Sequence, residues 1–369
     1  MSEHNLSAIV LAAGAGTRMK SARPKLLHRL AGRAMLQYVL DSLADCSVER
    51  VVVVVGHGAE RVTKKLQSSD SALHLTFVEQ HTQNGTGDAA SVGLTGLPED
   101  DGPESDHHDV LVLPGDMPLL QPSTIAALVA AHRQADAACT VLTARVPDPG
   151  GYGRVVRGKD GQVVRIVERA DCTDEEAAID EINTAVYCFR RSVLAPALRR
   201  ITPENAQGEL YLTDVVAVLR DAGYPVGAVE VADPVDAEGI NDRLQLAAAE
   251  AELRRRTNER WLRAGVTLVD PSSTYLDATV QLASDVTLFP GTILQGSTVI
   301  GAGAEIGPHT RLVDCVVGAG AVVEQSNGRD AEIGADAKVG PFAVLAPGAS
   351  IPDGTVTGPF YAVGGPDDD

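Results

Sequence analysis

LDATVQLASDVTLFPGTILQGSTVIGAGAEIGPHTRL, residues 276–312, carries an aliphatic side chain at every sixth position: Leu276, Leu282, Leu288, Leu294, Ile300, Ile306 and Leu312. Two places before the last six stand Val280, Val286, Thr292, Thr298, Ala304 and Thr310, all small or β-branched. A helix repeats at 3.6 residues and an ordinary strand at two, so neither yields a period of six. A three-sided parallel β-helix does, because each six-residue rung turns one aliphatic residue inward. After a polar interruption, EQSNGRD (324–330), the register returns as Ile333, Val339, Leu345 and Ile351, with Ala331, Ala337, Ala343 and Ala349 two before. The C-terminal part is therefore expected to be a short β-helix over 266–361, about three and a half coils long. Residues 362–369 are expected to form a disordered tail.

Upstream the pattern changes. SAIVLAA (7–13), VVVVVG (51–56), LHLTFVE (73–79), VLVLPGD (110–116) and ACTVLTARV (138–146) are short apolar runs. Helix-like AMLQYVLDSLAD (34–45), AERVTKKLQ (59–67) and PSTIAALVAAHRQA (122–135) alternate with them. Near-continuous apolar runs suit strands buried on both faces, and the alternation predicts an α/β domain with a largely parallel sheet over 1–240. Ligands of such sheets bind beyond the carboxyl ends of the strands. NDRLQLAAAEAELRRRTNERWLRAG (241–265), free of proline and closed by Gly265, reads as one connecting helix with Asn241 or Asp242 at its start.

The chain has 369 residues, formal net charge −19 and 4% aromatic content. Such an acidic surface speaks against nucleic acid or an acidic membrane as partner, and so few aromatics against a base-stacking platform. Five scattered cysteines without CxxC spacing indicate a reducing compartment and no zinc site. No signal-like or spanning apolar segment is found, so a cytoplasmic protein is expected.

Against this background LAAGAGTRMKSARPKLL (11–27) reverses the sign. From Arg18 to Arg33 there are six Lys or Arg and no acid. GAGTRMK (14–20) does not supply the P-loop GxxxxGK[ST], and the third glycine of GxGxxG would fall at Met19. What remains is a strand, a glycine turn whose N–H groups can approach a phosphate, and then Arg18 and Lys25. An anion site and a solvated basic loop both fit the stretch alone. His57, between two glycines, reads as a turn residue; His107 and His108 sit in what reads as a mobile loop.

LAAGAGTRMKSARPK is similar to the signature of sugar-1-phosphate nucleotidylyltransferases. GHG (56–58), QHTQNGTG (80–87), PGDMPL (114–119), GYGR (151–154), IVERADCTDEE (166–176), EINTAVY (181–187), GELYLTDVV (208–216) and EGINDRLQL (238–246) follow in the order of one branch. That branch is the bacterial bifunctional family of N-acetylglucosamine-1-phosphate uridylyltransferase and glucosamine-1-phosphate acetyltransferase. The resemblance implies a Rossmann-like nucleotidyltransferase domain, a left-handed β-helix and a homotrimer formed through it. It also implies UTP and a sugar 1-phosphate as substrates and Mg²⁺ as cofactor. By position, Leu11, Ala12, Ala13 and Gly14 would line the uracil and ribose pocket, with Gln80, Gly85 and Thr86 reading the base. Gly115 would lie in the substrate site. Arg18 and Lys25 would hold the phosphates as the catalytic cations. Asp116 and Asn241 would share the metal, with Asn241 also at the substrate. Gly153, Glu168 and Asn183 would contact the acetamido sugar.

These residue types suit that chemistry. A sugar phosphate oxygen is already ionised at neutral pH, so attack on the α-phosphate needs positioning and charge neutralisation more than a base. Several positions depart from the family pattern. Asp88 replaces the histidine of GTGHA, Pro114 precedes GD, and Asp242 follows Asn241. Asp88 could alter sugar preference or metal placement. Ala346 stands where the family has an arginine, and Gly364 where it has a lysine. Residues 266–369 hold 13 acids against Arg311, Arg329 and Lys338, with His309 the sole histidine. No acetyltransferase activity is therefore expected, and the β-helix is expected to serve oligomerisation. Alternative readings are a nucleotidylyltransferase for another hexose or aminosugar phosphate, and a non-catalytic nucleotide-sugar scaffold.

Overall fold

Val51 to Val55 are all buried, as a strand covered on both faces requires. In the computed structural model, which describes residues 5–56, 59–67, 73–98 and 108–363, this run is the second strand of a mixed sheet. The strands are β1 (Asn5–Ala12), β2 (Arg50–Val55), β3 (His74–Glu79), β4 (His108–Pro114), β5 (Cys139–Arg145), β6 (Arg154–Arg157), β7 (Val163–Val167), β8 (Glu181–Arg190) and β9 (Val226–Glu230). The spine runs β9-β5-β8-β4-β1-β2-β3, and the β6–β7 hairpin hangs from β8 through Ile182 and Arg154. All pairings along the spine are parallel except those of β8, which runs antiparallel to both β4 and β5.

The predicted helices appear as α1 (Met35–Ala44), α2 (Ala59–Gln67) and α4 (Pro122–Gln134). Not foreseen were α3 (Thr86–Leu94), α5 (Asp174–Ala177), α6 (Arg191–Leu198) and α7 (Asp214–Asp221). Helix α3 packs on β1 and β2 through close approaches: a Cβ at Gly93 would come within 2.3 Å of an Ile9 methyl. The expectation of a loop at His108 is wrong. His108 opens β4, and its Nε2 lies 2.9 Å from Ser7 Oγ on β1. His57 and His107 lie outside the described residues.

The chain divides into two compact units, Met1–His28 with Ala34–Gln245 and Arg29–Arg33 with Leu246–Asp369. Helix α8 (Arg243–Arg263) follows Asp242, whose carboxylate accepts the Leu244 and Gln245 N–H groups as an N-cap. Gly265, at φ 90°, lies beyond its end.

The second unit contains three parallel sheets of five, six and five two- or three-residue strands, which is a three-sided parallel β-helix. All eleven aliphatics of the hexad register are buried, as are the small residues two places before them. The coils number about five, not three and a half, and the polar segment is no interruption. Asn327–Arg329 is a strand in the same wall as Leu312 and Leu345, with Gly328 turned inward. The register passes from Leu312 through Val317, Val323 and Gly328 to Ile333, so three rungs are five residues long rather than six. Cys315, Ala321 and Ser326 fill the places two before, all buried. Ser326 donates its hydroxyl to the Glu324 carbonyl and accepts the Ala343 N–H, so its polar atom is satisfied inside the solenoid. Asp314, Gln325 and Asp330 turn corners of these shortened rungs with positive φ. The last strand, Ala362–Val363, pairs with Val344–Leu345, so the β-helix continues past residue 361, where the tail was expected to begin.

Two substitutions test this geometry by urea unfolding. Leu294, fully buried, should lose about 2–5 kcal/mol on replacement by Ala, through lost burial and a cavity. Gly328→Val restores an aliphatic residue to the repeat yet should destabilise by about 1–3 kcal/mol. Even a bare Cβ there would sit 3.0 Å from Leu312 Cδ2 and 3.3 Å from Cys315 Sγ. A stabilised Gly328→Val would show that the shortened rung has room to spare.

Candidate active site

The parallel strands β1, β2, β3 and β4 all end at one edge of the sheet, and the pocket opens there. It encloses about 330 Å³ and is lined by Leu11, Ala12, Ala13, Gly14, Lys25, Gln80, Gly85, Thr86 and Asp116, all foreseen. Gln83, Pro114, Ala185 and Glu209 line it too and were missed.

At its polar end, four predicted residues meet. Asp116 lies two residues past the end of β4, and the Gly115 N–H between them is committed to the Leu11 carbonyl at 2.9 Å. The Ile240 N–H donates to the Asp116 carbonyl at 2.9 Å, which brings the next residue, Asn241, alongside. Lys25 Nζ pairs with Asp116 Oδ2 and donates to Asn241 Oδ1 at 3.0 Å. Arg18 Nη2 donates to the same Asn241 oxygen at 2.9 Å. Lys25 can stand so close to the first turn because Gly16 has no side chain. A Cβ there would be 2.6 Å from Lys25 Cβ, and its φ of 61° also favours glycine. Thus one carboxylate and one carboxamide oxygen converge on a single cation position. Among the described residues no cluster of three His, Cys, Asp or Glu competes with them as a metal site.

The apolar end is built around Gln80, which follows β3 and is buried. Its Nε2 donates to the Gly85 carbonyl at 3.2 Å and to Asp88 Oδ2 at 2.7 Å. Asp88 lies in the first turn of α3, where a carboxylate is favoured by the helix dipole. Gly85, at φ 109°, would place any Cβ 2.5 Å from the Leu210 carbonyl, so only glycine fits. The Thr86 hydroxyl accepts the Leu212 N–H at 3.0 Å. Gln83 donates to the Ala13 carbonyl.

Gly153, Glu168 and Asn183 also come together. The Asn183 N–H donates to the Gly153 carbonyl at 2.9 Å, and a Cβ at Gly153 would be 3.5 Å from Glu168 Oε2. Asn183 fixes its amide between the Tyr187 hydroxyl and the Ala185 N–H. These contacts surround an irregularity in β8, with Ala185 at φ 62°, of the kind that re-aims side chains beside sites. Nearby, Arg154 is buried and donates to the carbonyls of Pro149, Gly150, Tyr152 and Ala177, fixing the glycine-rich loop before it.

The charge here is opposite to that at Lys25. Burial pushes the Glu168 carboxyl up, opposed by the Thr213 hydroxyl and reinforced by Asp214 and Asp171. The Tyr211 hydroxyl is pushed up to about 12 by burial and then by Asp171, Glu168, Glu209 and Asp214. It is also a buried polar atom without a hydrogen-bond partner. Of these acids Glu209 lines the pocket, whereas Gly153, Glu168 and Asn183 are not among its lining residues.

Residues 8–221 match the family model of the MobA-like NTP transferase domain. Bifunctional protein GlmU of Rhodococcus jostii is 48% identical over 345 residues, 92% of this chain and 68% of the relative. Bifunctional protein GlmU of Heliobacterium modesticaldum is 45% identical over 360 residues, 98% of this chain and 76% of the relative. Its namesake in Corynebacterium aurimucosum is 44% identical over 349 residues, covering 94% and 70%.

The raised carboxyl of Glu168 predicts a pH signature. A group whose pKa rises on folding keeps its proton in the folded state after the unfolded chain has lost it. Its contribution to stability therefore falls as pH climbs from the ordinary value of 4.5 through the folded one. Glu168→Gln removes that loss and keeps an acceptor for Thr213. The gap in urea midpoint between variant and wild type should widen in the variant's favour from pH 5 to pH 8. A constant gap would show that burial does not govern this carboxyl.

Proposed function

The chain belongs to the family of the bifunctional protein GlmU, with a MobA-like NTP transferase domain at residues 8–221, and on that premise we propose that it transfers UMP from UTP to N-acetylglucosamine 1-phosphate. The products are UDP-N-acetylglucosamine and pyrophosphate. The observation that carries this reading is the meeting of Lys25, Arg18, Asp116 and Asn241 at one end of the pocket that Gln80, Gly85 and Thr86 line at the other.

A sugar phosphate oxygen attacks the α-phosphorus in line. A new P–O bond forms, the bond to the bridging oxygen breaks, and pyrophosphate leaves with the electron pair. The nucleophile is ionised beforehand, so no residue need remove a proton. Lys25 and Arg18 hold the phosphates and offset the charge that grows on the leaving group. Asp116 and Asn241 would hold Mg²⁺: two convergent oxygen donors suit a hard cation that keeps several waters or phosphate oxygens. When bound, Mg²⁺ supplies further charge neutralisation at the phosphates. Gln80, Gly85 and Thr86 hold the base, Leu11 to Gly14 border the nucleoside, and Gly153, Glu168 and Asn183 hold the sugar. The carboxylates of Glu168, Asp171 and Asp214 give a specific reason to test an unacetylated, cationic amino sugar beside the acetamido one.

The β-helix is read as an oligomerisation module forming a homotrimer. No acetyl transfer is assigned to it, because Ala346 replaces the family's arginine and acids outnumber bases. No helix among the described residues is long and apolar enough to cross a membrane. With five free thiols, the enzyme is read as working in the cytoplasm on small substrates rather than nucleic acid.

Pyrophosphate release with UTP, Mg²⁺ and N-acetylglucosamine 1-phosphate, beside glucosamine 1-phosphate and glucose 1-phosphate, tests the reaction. Lys25→Ala and Asp116→Ala should each lower kcat about 10²–10³-fold, as loss of one transition-state contact does. Full turnover in both variants would remove these residues from the chemistry. Light scattering at micromolar concentration should give three times the chain mass, and a monomeric mass would refute the trimer.

A further inference from the structure

We propose that Asp88 is a positioning residue that sets nucleobase specificity by deciding which end of the Gln80 amide faces the pocket. This inference rests on the uridylyltransferase reading above and names the residue that enforces its choice of base. A glutamine amide has a donating and an accepting end of nearly the same shape. Here its orientation is fixed by chemistry. The atom near Gly85 and Asp88 faces a carbonyl oxygen at 3.2 Å and a carboxylate oxygen at 2.7 Å, and only the NH₂ group can satisfy two acceptors. The reverse orientation would set a carbonyl against both, in a buried place where repulsion is weakly screened. Gln80 is 4% exposed, so its amide depends on these two partners.

With both amide hydrogens engaged, Oε1 is the end left for a ligand, and nothing among the described residues donates to it. An acceptor in that position favours a base edge that carries an N–H, such as the lactam of uracil. Cytosine offers a bare ring nitrogen at the same place and meets it with repulsion. An Asn or Ala at position 88 loosens this choice. Asn could present either its oxygen or its NH₂ to Gln80, so the amide could turn and offer its donor to the pocket. The influence of Asp88 thus falls on the base, whereas its sequence position alone suggested the sugar or the metal.

The test is equilibrium binding of UTP and CTP by calorimetry to wild type, Asp88→Asn and Asp88→Ala, with turnover on both nucleotides measured alongside. The wild type should bind UTP more tightly than CTP. Both variants should lose about tenfold of that ratio, on the order of one mispresented buried hydrogen bond. A merely structural role would weaken both nucleotides alike and leave the ratio unchanged, and that result would overturn the proposal. Equal binding of the two nucleotides by the wild type, or binding of neither, would overturn it as well. Asp88→Asn is nearly isosteric, so it guards against a misfolded Asp88→Ala. Discrimination in binding without turnover would instead count against the uridylyltransferase reading and leave the role of Asp88 standing.

Discussion

A protein of net charge −19 has to hold positive charge at one point without neutralising it out of use. Lys25 meets that demand by sharing its ammonium between a carboxylate and an amide oxygen, while Arg18 leans on the same amide. Each partner is positioned largely by backbone hydrogen bonds. Asp116 stands two residues past the β4–β1 ladder, secured by the Gly115 N–H on Leu11. Asn241 is drawn in by Ile240, which bonds the Asp116 carbonyl itself. The glycine turn after β1 then leaves the space that Lys25 needs. Parallel strands are what make this possible, because they bring consecutive loops to one edge.

In the cluster of acids around Glu168 the fold accepts a cost. Glu168 and Asp214 are held partly out of water beside one another's charge, and Tyr211 has its hydroxyl buried among acids without a partner. Groups kept in unfavourable surroundings are common where a ligand supplies the missing interactions. By contrast, the carboxyl of buried Glu181 is held below its ordinary value: burial pushes it up, but the guanidiniums of Arg157 and Arg145 outweigh that. It ties β8 to its neighbours. Burial alone does not distinguish the two glutamates; their partners do.

Much of this was legible in the sequence, and what was not has physical causes. A six-residue period has one common structural explanation, so the β-helix could be read from Leu276 to Leu312 alone. Its shortened rungs could not, because Gly328 and Ser326 occupy inward places without looking apolar. Strands β1 to β5 were visible as apolar runs. The reversed direction of β8 was not, since a buried strand reads alike in either sense. In the site, Lys25, Asp116 and Gln80 lie in segments that resemble a known signature. Gln83, Ala185 and Glu209 lie in such segments too, but nothing in their residue types marked them for the pocket: one joins it by bonding a backbone carbonyl, another by a kink. The tie between Asp88 and Gln80 needed coordinates, because eight residues separate them across a turn into a helix.

The shortened rungs change what length means in this solenoid. Along one wall, Thr267, Thr287, Glu305, Val322 and Lys338 pair in succession, at steps of 20, 18, 17 and 16 residues. Each step nevertheless rises by one strand spacing, about 4.8 Å, because hydrogen bonds between coils set it. Glycines 301, 318 and 334 keep that spacing where successive corners touch; a Cβ on any of them would strike the backbone of the coil above. The wall is thus a ruler graduated in hydrogen bonds, not in residues. A corner can gain or lose a residue while the distance between its ends, about 19 Å over these five strands, stays the same. A chain built this way can drift in length over generations and still hold whatever its two ends carry at a constant separation.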